Sequence, residues 1–149
     1  MINSHNNFFS ALKILIERLK GVDFALIGTF NLSVQGIDVS PNDLDILTDE
    51  SGIYKIGGIF SSPVVQADHG QWNEVRFVIG SVEVQATSTQ GNPLRSMDFK
   101  KYIISIKKED IQIPCMSLES ELEFYLKSGR EKDKIKVYLI ESHLKNNHQ

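Results

Sequence analysis

The sequence predicts an α+β domain from three features. Apolar residues recur at helical spacing near both ends, a Gly80-Ser81 turn joins two alternating segments, and a short strand carries the run Pro41-Asn42-Asp43-Leu44-Asp45-Ile46-Leu47-Thr48. The first stripe, Phe8, Leu12, Leu15, Ile16 and Leu19, predicts a helix that Asn7 or Ser4 can cap and Gly21 can end. Val22 to Ile27 reads as an apolar strand, Thr29 to Gln35 as a short helix stopped by Gly36, and Asp43 opens the second strand. Thr48 to Gly52 reads as a turn. Ile53 to Phe60 fits a short helix or a loop, because Gly57-Gly58 weakens helix formation. Val64 to Gln66 can form a short strand, and Ala67 to Gln71 a polar turn in which His69 is a loop histidine; Trp72 packs nearby.

Glu74 to Ile79 and Val82 to Ser88 form the clearest local structure. A two-residue turn with glycine first suits a type II′ hairpin, pairing Ile79 with Val82, Phe77 with Val84 and Val75 with Ala86. Tyr102 to Ile106 and Ile111 to Ile113 suggest a second hairpin that Pro114 ends. Ser117 can cap a helix through Leu118, Leu122, Tyr125 and Leu126 with Gly129 as its stop. A last helix is expected from about Glu131 to His143.

Composition narrows the function. The 149 residues, 41% hydrophobic and 23% charged, fit one domain over residues 1–145 with a polar tail over 146–149. A chain of this length buries roughly 70% of its extended surface and needs no staples. The net charge of −3 and the lack of a Lys/Arg run argue against a nucleic-acid partner. A lone Cys115 excludes an intrachain disulfide, and the four His lie in no zinc-like spacing. No apolar stretch reaches the ~18 residues of a membrane helix and no signal-peptide pattern is present, so a cytoplasmic protein without a membrane partner is expected.

The chemistry centres on Asp43 and Asp45. Residues two apart on a strand share a face, so both carboxylates point one way while Leu44 and Ile46 point the other. Two adjacent carboxylates repel each other unless a cation neutralises them, and hard oxygen ligands with substrate phosphates suit Mg²⁺. A polar strand start is the plainer alternative. Gly28-Thr29, between a strand and a helix, combines close backbone approach, a hydroxyl donor and a helix N-terminus, a setting that favours phosphate; an ordinary turn is the alternative. Glu83, midway along the hairpin's polar edge, is the candidate third carboxylate. A surface pair of Arg76 with Glu83 or Glu74 explains that edge equally well.

Gly28-Thr29, Asp43-Leu44-Asp45, Glu83, Ser117-Leu118-Glu119 and Gly129-Arg130-Glu131-Lys132-Asp133, in that order, resemble the nucleotidyltransferase superfamily of the polymerase-β type, nearest to its small single-domain and antibiotic-adenylylating branches. The resemblance implies a mixed sheet backed by helices. It implies Mg²⁺, two ions during turnover, held by Asp43, Asp45 and Glu83 as metal-binding and catalytic residues. It also implies ATP or another nucleoside triphosphate bound by Gly28, Thr29, Arg130 and Lys132, and transfer of a nucleotide, AMP in the first instance, to a hydroxyl of a small molecule or protein with release of pyrophosphate. A homodimer is compatible with it, since two-chain sites occur among similar small enzymes. The chain departs from the pattern in lacking an Arg shortly before Asp43 and a Lys near Tyr125, Lys127 lying two residues later. These losses of positive charge also fit the alternative, a catalytically weakened or inactive nucleotide-binding or protein-interaction module of the same fold.

Overall fold

The computed structural model describes residues 4–68 and 70–147. In chain order the elements are α1 (Ser4–Arg18), β1 (Phe24–Ile27), α2 (Gly28–Val34), β2 (Leu44–Thr48), α3 (Glu50–Ile59), β3 (Val65–Gln66), β4 (Asn73–Ile79), β5 (Val82–Ser88), β6 (Ile103–Lys108), β7 (Ile111–Met116), α4 (Leu118–Ser128) and α5 (Lys134–Asn147). Seven strands form one sheet in the order β3-β4-β5-β2-β1-β7-β6. The sheet is mixed: β2 runs antiparallel to β1 and parallel to β5, and β1 runs parallel to β7.

Alternation along the strands divides the two faces. Leu44 and Ile46 of β2 join Leu26, Val84, Ala86 and Val75 under Leu12 and Leu15 of α1 and Ile53 and Ile56 of α3. The opposite face is apolar only toward β1 and β7, where Ala25, Ile27, Leu47, Phe99 and Met116 cluster. A third cluster of Leu32, Ile37, Leu118, Tyr125 and Ile140 fastens α2, α4 and α5 together. Between these last two clusters and the β4–β5 hairpin, the polar side of the sheet stays open.

The hairpin has the expected register, with Ile79 opposite Val82, Phe77 opposite Val84 and Val75 opposite Ala86. Gly80 takes φ +61°, as the first turn position of a II′ hairpin requires. The segment left open between helix and loop is helical. Asp49 caps α3 by accepting from the Gly52 N–H at 2.7 Å, and burial of Ile53 and Ile56 outweighs the low propensity of its glycines. Gly57 is required for packing, because a Cβ there would stand 2.9 Å from the Ser62 carbonyl oxygen. Strand β7 runs on past Pro114 to Met116; its pairing with β1 is confined to Leu26 and Cys115, so the missing N–H breaks no ladder there. The last helix starts at Lys134 after a single 3-10 turn and extends to Asn147, into the stretch read as a tail. His69 lies outside the described residues.

Candidate active site

The end of β1, the start of β2, the β4–β5 hairpin and the α4–α5 corner enclose a cavity of about 660 Å³. Asp43, Asp45, Gly28, Thr29, Arg130 and Lys132 all line it. Six residues spread over more than 100 positions of sequence thus meet at one opening.

Asp45 sits at the centre. On β2 it is level with Ile27 of β1 on one side and Gln85 of β5 on the other. Burial pushes its carboxyl up from the usual 3.8 to about 7; the Asp43 charge and a hydrogen bond to Asp43 push the same way, and Lys136 pulls back weakly. A raised carboxyl beside a second acid marks a place that favours a cation. The backbone confirms how tight the place is. Gly28 has φ +78°, and a Cβ on it would come within 2.9 Å of Asp45 Oδ2. Only glycine lets the β1–α2 turn pass this carboxylate.

The Gly28 N–H is not free for an anion. It donates to Glu121 Oε2 at 2.8 Å, and Asn31 Nδ2 donates to the same oxygen at 3.2 Å. Glu121 is wholly buried, and its other oxygen accepts from Arg95 Nη1 at 2.6 Å. A carboxylate from α4 therefore already fills the electropositive start of α2. Gly28 contributes room beside Asp45 rather than a phosphate donor, while Thr29 keeps its place in the cavity wall.

Positive charge comes from the α4–α5 corner. Arg130 Nε donates to Asp133 Oδ2 at 2.8 Å, and Ser128 Oγ donates to the same oxygen at 2.6 Å. Burial alone would raise the Asp133 carboxyl, but these hydrogen bonds and the charges of Arg130 and Lys136 hold it below its ordinary value. Lys136 also lines the cavity, its Nζ 5.1 Å from the Tyr125 ring centre. The cation missing near Tyr125 in the sequence of α4 is thus supplied in space from α5. Arg95 completes the wall, its guanidinium 3.9 Å from the Phe124 ring centre.

Glu83 stands apart from this group. It is exposed on β5, opposite Val78, and is not part of the cavity wall. It shares a face with Asp45, but the parallel β2–β5 stagger sets Gln85 level with Asp45. Among the described residues no three His, Cys, Asp or Glu side chains are grouped to hold a metal ion. Sequence reading missed Glu74, Arg95, Glu121 and Lys136. A Lys on a helix or an Arg in a loop reads as solvated surface. Glu121 did leave a signal: it lies three residues after Leu118 and four before Tyr125, on the buried stripe of α4.

No protein-family model matches the sequence, and neither does any curated protein. Solved structures do match the fold, eight chains in all, three of them with the following likenesses. A candidate nucleotidyltransferase from Thermotoga maritima, TM1012, is similar at 27% identity and TM-score 0.72, over 98% of this chain and 96% of that one. The lincosamide antibiotic adenylyltransferase LnuA, in a lincomycin-bound structure, aligns at 18% identity and TM-score 0.61, over 95% of this chain and 98% of that one. ANT(2")-Ia, in complex with adenylyl-2"-tobramycin, aligns at 10% identity and TM-score 0.60, over 95% and 90%. With its mixed seven-stranded sheet, five helices and these likenesses, the chain has the α+β fold of the nucleotidyltransferases and resembles that superfamily along nearly its whole length.

Proposed function

We propose that this protein is a Mg²⁺-dependent nucleotidyltransferase that moves AMP from ATP onto a hydroxyl of a small molecule or protein and releases pyrophosphate. The observation that carries the reading is the Asp43–Asp45 pair, two carboxyls side by side, Asp45 raised by burial and by Asp43, in a cavity also lined by Arg130, Lys132 and Lys136. The donor set fits Mg²⁺, since both side chains are hard oxygen ligands and the pair carries negative charge in want of a cation. Asp43 and Asp45 would hold the ion, and when bound it supplies neutralisation of the phosphate charge during in-line displacement at the α-phosphorus. Arg130, Lys132 and Lys136 bind and orient the triphosphate, stabilising charge that builds on the departing pyrophosphate. Thr29 offers a hydroxyl donor in the same cavity wall. The ligands in the LnuA and ANT(2")-Ia structures support a small hydroxyl-bearing acceptor.

Pyrophosphate release from Mg²⁺-ATP with a panel of hydroxyl acceptors tests the proposal. Asp45→Ala should lower the rate by about a thousand-fold, the scale of losing a group that stabilises the transition state. Equal release from wild type and variant would sink it. Gln85, a neutral residue level with Asp45, favours one second reading, a module that binds nucleotide without turnover. Calorimetric ATP binding with no pyrophosphate from any acceptor would select it.

A further inference from the structure

One carboxylate faces the cavity from farther out in the sheet. Glu74 on β4 is 7% exposed and belongs to the cavity wall. Its Oε2 accepts from Gln85 Nε2 at 2.9 Å, and its Oε1 accepts from Arg76 Nη2 at 3.2 Å. The two partners differ. Gln85 is neutral and fixed on the strand between Glu74 and Asp45, whereas the Arg76 side chain is 66% exposed, so its ion pair is weak and readily opened. β4 lies two strands from β2. At the usual strand spacing this separates the backbones by about 10 Å. Among the described residues Glu74 is not grouped with Asp43 and Asp45 to hold a metal ion. A hydroxyl-bearing molecule seated over the strands between them can reach it.

We propose that Glu74 is the general base of the transfer and that Gln85 is the positioning residue that aims its carboxylate. The inference rests on the nucleotidyltransferase reading and deepens it. The acceptor O–H bond breaks and its proton passes to a Glu74 carboxylate oxygen. The acceptor oxygen's electron pair forms a bond to the α-phosphorus. The bond from that phosphorus to the oxygen bridging to the β-phosphate breaks, and pyrophosphate leaves with the electron pair. A base must lie within hydrogen-bond reach of the proton it takes, and Glu74 can do so without competing for a cation at Asp43 and Asp45. Gln85 donates to one oxygen of the carboxylate, which holds it turned toward the cavity.

The test follows pyrophosphate release from Mg²⁺-ATP, with water alone and with a panel of amino sugars, lincosamides and simple alcohols as acceptors. Calorimetry with Mg²⁺ and a non-hydrolysable ATP analogue runs beside it. Glu74→Gln should lower kcat about 100-fold or more, with analogue affinity changed less than about 3-fold and thermal unfolding still cooperative. Glu74→Asp should restore part of the rate, and Gln85→Leu should lower kcat about 10-fold at unchanged KM for ATP, the scale of one lost supporting contact. Full turnover in Glu74→Gln overturns the inference and leaves the proposed function standing. Joint loss of analogue binding and turnover overturns it too, making Glu74 part of the nucleotide site. A loss in Glu83→Gln that equals or exceeds that of Glu74→Gln also counts against it. Failure of the wild-type protein to release pyrophosphate under every condition removes the proposed function, and this inference with it.

Discussion

Two acidic groups, one lining the cavity and one paired with residues that line it, are treated in opposite ways. Asp133, at the α4–α5 corner, is met by Ser128, Arg130 and Lys136, and its carboxyl is held low. Asp45, in the cavity wall, is pushed up to about 7 by burial and then by the neighbouring acid Asp43. Burial raises both carboxyls, Asp45 half-buried and Asp133 fully buried, and only Asp133 has partners that reverse the effect. Glu121 belongs with Asp133, since Arg95, Gly28 and Asn31 satisfy it fully. The lesson is that the compensated acids fasten the α4–α5 layer to the sheet, while the uncompensated pair is where the fold leaves room for a charge it does not supply.

The strongest way to break this contrast is to uncompensate a scaffold acid's partner. Glu121→Ala leaves Arg95 buried without its carboxylate, and stability should fall by about 3–5 kcal/mol, read from denaturant unfolding. A loss below 1 kcal/mol would place Glu121 outside the scaffold.

The next test is pH. Asp45 binds its proton more tightly folded than unfolded, so its contribution is fully present below the usual 3.8 and is lost as pH rises toward about 7. Without divalent metal, stability should fall by about 1.4 kcal/mol per pH unit within that window and level off above it. Asp45→Asn should flatten the slope, as thermal melts across pH would record. Asp133 works in the other sense, its stabilisation present at neutral pH and lost in acid. Mg²⁺ should bind more tightly above pH 7 than below it, because Asp45 must give up its proton to the ion.

The smallest expected change in stability is at Arg130, whose side chain is half exposed. Arg130→Ala should cost less than about 1 kcal/mol of stability, yet weaken binding of a non-hydrolysable ATP analogue about 10-fold, the scale of one charge-assisted hydrogen bond. Equal losses of stability and affinity would make it scaffold like Glu121.

Which parts of this site could be read in advance follows from how far apart in sequence the partners lie. The face shared by Asp43 and Asp45 depends only on strand period, and the hairpin register only on its two-residue turn; both were legible. Glu83 and Gln85 share a face by the same period, so the sequence could not choose between them. The choice rests on the stagger of the parallel β2–β5 pair, which no turn connects. Glu74 looked like a surface partner of Arg76, and only the sheet order shows that it borders the cavity.

The sequence by itself determined most of the elements, their apolar faces and the paired carboxylates, because each is written in spacings of a few residues. Tertiary structure alone decided that Lys136 replaces a cation missing from α4, that Glu121 takes the anion position at the start of α2, and that Gln85 stands level with Asp45. Those outcomes depend on contacts between residues as far as 93 positions apart. Packing of whole elements sets such contacts, and no local periodicity encodes them.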